Sequence, residues 1–406
     1  MKRSHAEPVR VAHRGTPREI NRQIVLNLVR ARQPVSRADL ARVTGTRRGA
    51  ISLIVNDLIA QGRLYEGAKG ETARGRKPQF LYIDTRNRCV AAVDVRPTRT
   101  SFMITDLLNE PLIGVSMFAT PTDPHRFVKR LAERVRRTLD DHRELGRCEG
   151  IGLIVPGMVD STGSSIAFAP RLGWRDVALR DLLARETGLA VHIENSGRAC
   201  ALAQAWSVPR EMGRSRDFVF LSVSDGLGVG VVVNGEVVRG RHNVAGEFGH
   251  TPLDVDGPPC ACGASGCWEA FVSNIATLSR YFGRELSPHG PIPSEIASFT
   301  VDDLIARARG GDRKALAALQ ATARYLGLGL ASVVNAADPA RIFLSGEILE
   351  AWDLIEETVR AALASRVLAP AASSTEITLV SAREQPRLRG AAALVTAPLF
   401  AAPRIA

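Results

Sequence analysis

Three cysteines within eight residues, Cys260, Cys262 and Cys267, with His250 ten positions upstream, restrict this 406-residue chain more than any other feature. Cysteines so close together and so few cannot build a disulfide framework. Three thiolates and an imidazole do make the complete tetrahedron of a closed structural zinc site, with no position left for a catalytic water. Gly263 and Gly266 let the chain turn tightly around such an ion. The stretch therefore reads as a metal-binding loop holding one Zn²⁺ through His250, Cys260, Cys262 and Cys267. The other cysteines, Cys89, Cys148 and Cys200, stand apart in apolar surroundings and read as inert core residues.

The length exceeds that at which one hydrophobic core stops growing, so more than one domain is expected. No stretch of 18 uninterrupted apolar residues occurs, and Met1-Lys2-Arg3-Ser4-His5 lacks an apolar signal core. The expectation is a soluble cytoplasmic protein that makes no membrane contact. Its net charge of +11 is localised. Residues 1–83 carry 17 Lys and Arg against 6 Asp and Glu, while the remainder holds 36 of each sign. One segment thus owns the whole excess, as a nucleic-acid-binding module would.

That segment has the pattern of a winged helix-turn-helix. Ile20, Ile24, Val25, Leu28 and Val29 form a helical stripe over 17–31. Ser36, with Asp39 three residues on, predicts the capped start of a second helix, which Gly45 ends. Ile51, Ile54, Val55, Leu58 and Ile59 define a third, stopped by Gly62. Residues 63–66 and 79–83 then read as two strands of a wing. In such modules the third helix enters the major groove, which assigns Arg47, Arg48 and Ser52 to DNA. Guanine and phosphate remain alternative partners for the two arginines. Gly49 weakens this helix by roughly 1 kcal/mol relative to Ala, and Leu53 stands where a polar base-reader is common. Arg74, Arg76 and Lys77, in the basic loop Arg74-Gly75-Arg76-Lys77-Pro78, suit an A·T-rich minor groove.

From residue 84 strands and helices alternate. Residues 88–95, 101–105 and 111–118 read as a strand meander, and 124–144 as an amphipathic helix. A buried strand over 149–155, helix 176–187, strand 191–194, helix 197–206 and the strand pair 217–224 and 229–234 follow. The class is α/β.

Three stretches resemble the ROK family of repressors, open reading frames and sugar kinases. The first is Gly246-Glu247-Phe248-Gly249-His250 followed by the cysteine loop and Trp268-Glu269. The second runs from Gly150 through Pro156-Gly157 to Leu172-Gly173-Trp174, and the third is Ser222-Val223-Ser224-Asp225-Gly226-Leu227-Gly228. A winged helix ahead of them is the mark of the repressor branch, of the xylose- and N-acetylglucosamine-repressor type. The resemblance implies a two-lobed actin/hexokinase-like body over 84–406 behind a DNA-binding domain over 1–83. The small lobe would take about 84–195 plus a C-terminal helix, and the large lobe about 196–385. It also implies a sugar site of Gly157, Asn195, Glu247, His250 and Glu269, with His250 serving both metal and sugar.

The same resemblance exposes three departures from kinase chemistry. The family's catalytic Asp after the site asparagine is Ser196 here, which cannot act as a base near neutral pH. The kinase loop Asp-x-Gly-Gly-Thr-Lys reads Asp94-Val95-Arg96-Pro97-Thr98-Arg99, so both glycines are lost and Pro97 removes a phosphate-binding N–H. Asp225 replaces a threonine in the second phosphate loop. The expected protein is a non-enzymatic, sugar-responsive transcription regulator of operator DNA, a homodimer or homotetramer, taking a sugar or sugar phosphate as effector. The alternatives are an ATP-dependent sugar kinase with a DNA-binding domain, and a regulator controlled by a protein partner.

Overall fold

The computed structural model describes residues 16–69, 78–207, 216–285, 293, 296 and 298–401. Helices α1 (Thr16–Arg32), α2 (Arg37–Thr44) and α3 (Arg48–Ala60) form the N-terminal module with strands β1 (Val35–Ser36), β2 (Leu64–Lys69) and β3 (Gln79–Ile83). The local signals act as expected. The Ser36 hydroxyl accepts from the Asp39 N–H while the Asp39 carboxylate takes the Ser36 N–H, and Gly45 closes α2 in the left-handed region. Strands β2 and β3 pair antiparallel, with Tyr65 and Tyr82 stacked at 5.3 Å, and β1 adds a third strand to this sheet. One detail of the predicted stripe differs: Leu26 is buried and Ile24 is 38% exposed, because α1 turns its face toward Val35, Leu81 and Phe400.

Among the described residues the body has two five-stranded sheets. The first is built from β4 (Arg88–Val95), β5 (Arg99–Thr105), β6 (Pro111–Ala119), β7 (Arg147–Val155) and, after the small β8–β10 sheet (Met158–Val159, Ile166–Ala169, Trp174–Val177), β11 (Val191–Asn195). The second holds β12 (Phe218–Val223), β13 (Leu227–Val233), β14 (Glu236–Val237), β15 (Arg341–Gly346) and β16 (Glu376–Val380). Their orders, β6-β5-β4-β7-β11 and β14-β13-β12-β15-β16, are one topology used twice: an antiparallel meander with two parallel strands added beside its first strand. Central strands such as β4 and β12 are continuous apolar runs because helices cover both faces. Helix α4 (Pro124–Asp141) shows the coupling of cap to packing. Asp123 caps it, Pro124 opens it, and Phe127, Val128, Leu131 and Val135 face the first sheet.

Two expectations need correction. The segment 176–187 is not one helix: strand β10 ends at Val177, and helix α5 covers Leu179–Thr187. Cys89 and Cys148 are not isolated, since they stand opposite one another where β4 pairs with β7. Both thiols are free, and hydrogen bonding to Cys148 together with burial pushes the Cys89 thiol far up. Sequence separation concealed this pair, because parallel neighbours need a crossover between them.

The C-terminal helix Pro386–Phe400 packs on β4 and β7 of the first sheet and against helix α6 (Ser196–Ser207), which itself lies on β12 and β13 of the second. No helix among the described residues is long and apolar enough to cross a membrane.

Candidate functional site

The turn Phe248–His250 delivers Glu247 and His250, and the helix Trp268–Val272 starts directly after Cys267, placing Glu269 two residues beyond a cysteine. Between them the loop folds through Leu253 N–H to Gly266 O, Cys260 N–H to Ala264 O and Gly266 N–H to Pro258 O, each 2.8 Å. Gly266 is required there: with φ +69, a Cβ would lie 1.4 Å from the Asp254 carbonyl oxygen. The Trp268 indole N–H donates to Tyr325 O at 2.9 Å, anchoring the short helix in the core.

The ligand atoms of His250, Cys260, Cys262 and Cys267 all lie within 4.8 Å of one another and could hold a metal ion. Cys262 and Cys267 sulfurs are 3.7 Å apart, as are the Cys260 sulfur and His250 Nδ1. A tetrahedron with metal–sulfur bonds of about 2.3 Å has edges of about 3.8 Å, whereas a disulfide would bring sulfurs to about 2.05 Å. The donor set therefore fits a zinc-sized ion. Burial pushes the Cys267 thiol up to about 11 and raises Cys260 as well, so the surroundings alone do not favour thiolates. His250 turns Nδ1 to the cysteines, leaving Nε2 for the opposite side.

That opposite side is a cavity of about 190 Å³ lined by Gly157, Asn195, Glu247, His250 and Glu269 together. Residues far apart in sequence thus converge on one space between the two sheets. Asn195 caps α6, its Oδ1 accepting the Gly197 N–H at 2.8 Å, while its Nδ2 donates to Gly157 O at 3.0 Å and reaches Glu247 Oε1 at 3.5 Å. Burial raises the Glu247 carboxyl above its ordinary range, opposed by Arg198, whose Nη1 is 3.8 Å away. Glu269 Oε2 accepts the Leu227 N–H at 2.9 Å, and its Oε1 stands 3.4 Å from Arg171 Nη2.

The other end of the cavity is lined by Arg96, Pro97, Ser196, Asp225 and Arg387. Arg96 and Pro97 sit in the β4–β5 turn and Asp225 in the β12–β13 turn, topologically equivalent hairpins of the two sheets. Arg96 bridges them: its guanidinium lies 3.2 Å from Asp94, 3.8 Å from Asp225 and 3.0 Å from Glu347. Arg387 completes the group with bonds of 2.6 and 2.8 Å to Asp94. These cations hold the buried Asp94 and the half-buried Glu347 carboxyls below the usual carboxylate range despite desolvation. Sequence reading saw Arg96 and Asp225 as separate losses; in the fold each is the other's partner. Arg171 and Arg387 were missed altogether. An arginine drawn partly out of water requires an anion, but sequence does not say which.

On the N-terminal module, Arg47 precedes α3 and Arg48 opens it, both exposed, while Ser52 is half-buried. Leu53 is 68% exposed on the face opposite Ile51, Val55 and Leu58. Asn56 Oδ1 accepts from Arg37 Nη2 at 2.8 Å. Arg74, Arg76 and Lys77 lie outside the described residues.

A helix-turn-helix joined to a double-sheet body with a cleft and a Cys₃His loop defines the class of protein, and comparison with known proteins gives the family. Residues 90–397 match the ROK family, to which this chain belongs. A xylose repressor of Bacillus spizizenii is 27% identical over 90% of this chain and 92% of its own length. A glucokinase of Halalkalibacterium halodurans is 30% identical over 55% of this chain and 69% of its own. Among solved structures, a ROK family transcriptional regulator, a homologue of the E. coli MLC protein, has a TM-score of 0.76 at 26% identity, covering 95% of this chain and 97% of that one. The family thus embraces both regulators and sugar kinases.

Proposed function

We propose that this protein is a sugar-responsive DNA-binding repressor without kinase activity, its DNA module within residues 1–83 and its sugar-binding body within 84–406. One observation carries the reading: the sugar end of the cavity keeps all five expected groups, while the phosphate end is occupied by Arg96 and its carboxylates. Full-length similarity to a xylose repressor and to a ROK transcriptional regulator supports it.

The groups at the sugar end suit vicinal hydroxyls. Carboxylates of Glu247 and Glu269 accept, the Asn195 amide donates, and His250 offers Nε2. An analogue lacking a hydroxyl leaves one of these buried groups unpaired and binds more weakly. His250, Cys260, Cys262 and Cys267 hold one structural zinc in this reading, which keeps the imidazole neutral and fixed in orientation. The effector class that fits is an uncharged sugar. Arg96 and Arg387 are engaged by Asp94, Asp225 and Glu347, Pro97 has no N–H, and the Leu227 N–H is given to Glu269. A phosphate ester would have to displace carboxylates from both arginines.

Phosphoryl transfer depends on positioning and on stabilising charge. Ser196 supplies no base, and Arg96 and Asp225 face one another across the two hairpins at 3.8 Å. On the DNA side, a dimer or dimer of dimers presents two copies of α3 to a pseudo-palindromic operator. Arg47, just ahead of α3, and Arg48 and Ser52 within it contact DNA, as do Arg74, Arg76 and Lys77 from the wing. The protein works in the cytoplasm, where such DNA is found.

A thermal-shift panel of monosaccharides paired with their phosphates, followed by anisotropy titration of a duplex selected from a random pool, tests the whole reading. The expected result is stabilisation by one neutral sugar, a changed DNA affinity in its presence, and a two-fold-related selected site. Replacing Arg74 and Arg76 together by Ala should reduce the log–log salt slope by roughly 0.9 per lost phosphate contact. Silence across the panel, with DNA binding intact, would transfer control to a protein partner.

A further inference from the structure

We infer that α6 and the C-terminal helix Pro386–Phe400 act as a paired strut that carries occupancy of the cavity to the DNA-binding module, with Asn27, Arg30, Trp206 and Phe400 as its positioning residues. The inference rests on the sugar-responsive reading above and names the route of that response.

Both helices begin at the cavity. Asn195, a candidate sugar contact, caps α6, and Ser196 in its first turn lines the cavity. Arg387, near the start of the C-terminal helix, also lines it. Both helices end at the DNA module. The Trp206 carbonyl in the last turn of α6 accepts from Arg30 Nη1 of α1 at 2.9 Å, and the Arg30 guanidinium lies 3.8 Å from the Trp206 ring centroid. The Phe400 carbonyl at the end of the C-terminal helix accepts from Asn27 Nδ2 at 2.8 Å. The Phe400 ring meets the Trp206 ring edge-on at 5.1 Å and is buried with Val25, Val29, Leu81 and Ile83 of the module. At 12 and 15 residues, and about 1.5 Å per residue, the two helices reach roughly 18 and 22 Å.

The pair also behaves as one body. A Cβ on Gly390 would stand 2.9 Å from the Ala199 carbonyl group and 3.0 Å from the Cys200 nitrogen, so the two backbones touch there. Close-packed elements move as rigid units, because their contacts do not deform continuously. A hydroxyl drawing the Asn195 side chain away from Gly157 and Glu247 therefore acts on the cap of a rod whose far end grips α1. Two sites linked in this manner have a coupling free energy, and removing the grip removes the coupling without removing either site.

The test uses the full-length protein and the neutral sugar and duplex found by the panel and selection above. Three constants are measured for wild type, Trp206→Ala, Trp206→Phe and Asn27→Ala: sugar affinity, DNA affinity alone, and DNA affinity at saturating sugar. Coupling between sites in proteins is commonly about 5–150-fold. The expected result is that Trp206→Ala and Asn27→Ala keep both separate affinities within about 3-fold of wild type and lose most of the sugar-dependent factor, as a decoupled pair must. Trp206→Phe, which restores a ring beneath Arg30 and beside Phe400, recovers much of it. An undiminished factor in both Trp206→Ala and Asn27→Ala would overturn the inference, and reduced stability with coupling intact would leave these contacts a structural role only. Wild type that binds sugar or DNA without any mutual effect would instead bring down the sugar-responsive reading itself.

Discussion

The two ends of the cavity, though built from the same pair of sheets, differ in what their polar groups are doing. At the sugar end Asn195, Glu247, Glu269 and His250 present donors and acceptors to the space between the sheets. At the opposite end, the charged groups of the equivalent β4–β5 and β12–β13 turns are directed at each other, through Arg96, Asp94 and Asp225. Both ends have internal partners, but at the first they are mostly backbone groups and single arginines at 3.4–3.8 Å, whereas at the second two arginines are tied to carboxylates, Arg387 at 2.6 Å and Arg96 at 3.0–3.8 Å. The difference teaches that the second end is organised in its own right: a cation stands in the β4–β5 turn, and carboxylates from both sheets gather on it.

The largest test of that contrast is catalytic. Neither wild type nor Ser196→Asp should phosphorylate any sugar of the panel in a coupled ATP assay. A missing base would account for about 10² to 10⁴ in rate, and the lost positioning of phosphate for more. Turnover near 1 s⁻¹ in Ser196→Asp would mean that the phosphate end still functions.

Next in size is removal of Arg96. Arg96→Ala leaves Asp94, Asp225 and Glu347 with less countercharge, and breaking a buried ion pair costs about 3–5 kcal/mol. Arg387 remains beside Asp94, so about 3 kcal/mol is expected, a fall in Tm of several degrees. The folded carboxyls of Asp94 and Glu347 are depressed. Their contribution is therefore full above the unfolded carboxylate range near pH 4 and is lost as pH falls through the folded values. The Tm gap between wild type and Arg96→Ala should persist at pH 7 and narrow below about pH 4. A gap of the same size at pH 3 would deny the ionic tie.

At the sugar end, Cys262→Ser should release the metal, lower stability by about 2–3 kcal/mol, at the upper end of ordinary single substitutions, and weaken sugar binding through His250. Elemental analysis, calorimetric melting and sugar titration read the three effects. A metal-free wild type that still binds sugar tightly would separate the cysteine loop from the site.

The smallest expected change comes from Glu269→Gln, which keeps the shape of the side chain and removes its charge. Gln keeps a neutral acceptor, so the loss is the difference between a charge-assisted and a neutral hydrogen bond, about 1–1.5 kcal/mol; sugar affinity should fall roughly 5- to 10-fold, with a modest fall in Tm from the lost Arg171 pair. Unaltered affinity would leave Glu269 as a partner of Leu227 and Arg171 alone.

Much of this was legible in the chain itself because it depends on neighbours in sequence. The cap Ser36–Asp39, the stop at Gly45, the Pro124 start of α4 and the cysteine loop are local chemistry, and residues within a few positions of one another decide them. The five candidate sugar contacts came from short motifs whose spacing is likewise local, and the fold brings them to one cavity. Tertiary structure alone decided what required distant partners. It made Arg96 the companion of Asp225 and Glu347, brought Cys89 opposite Cys148, and gave Asp94 a second arginine from position 387. It also made α6 and the last helix share both their ends. No periodicity or motif encodes such meetings, because they depend on how two sheets of one topology are set around a common cleft, and side-chain charge alone does not choose among 36 acidic partners.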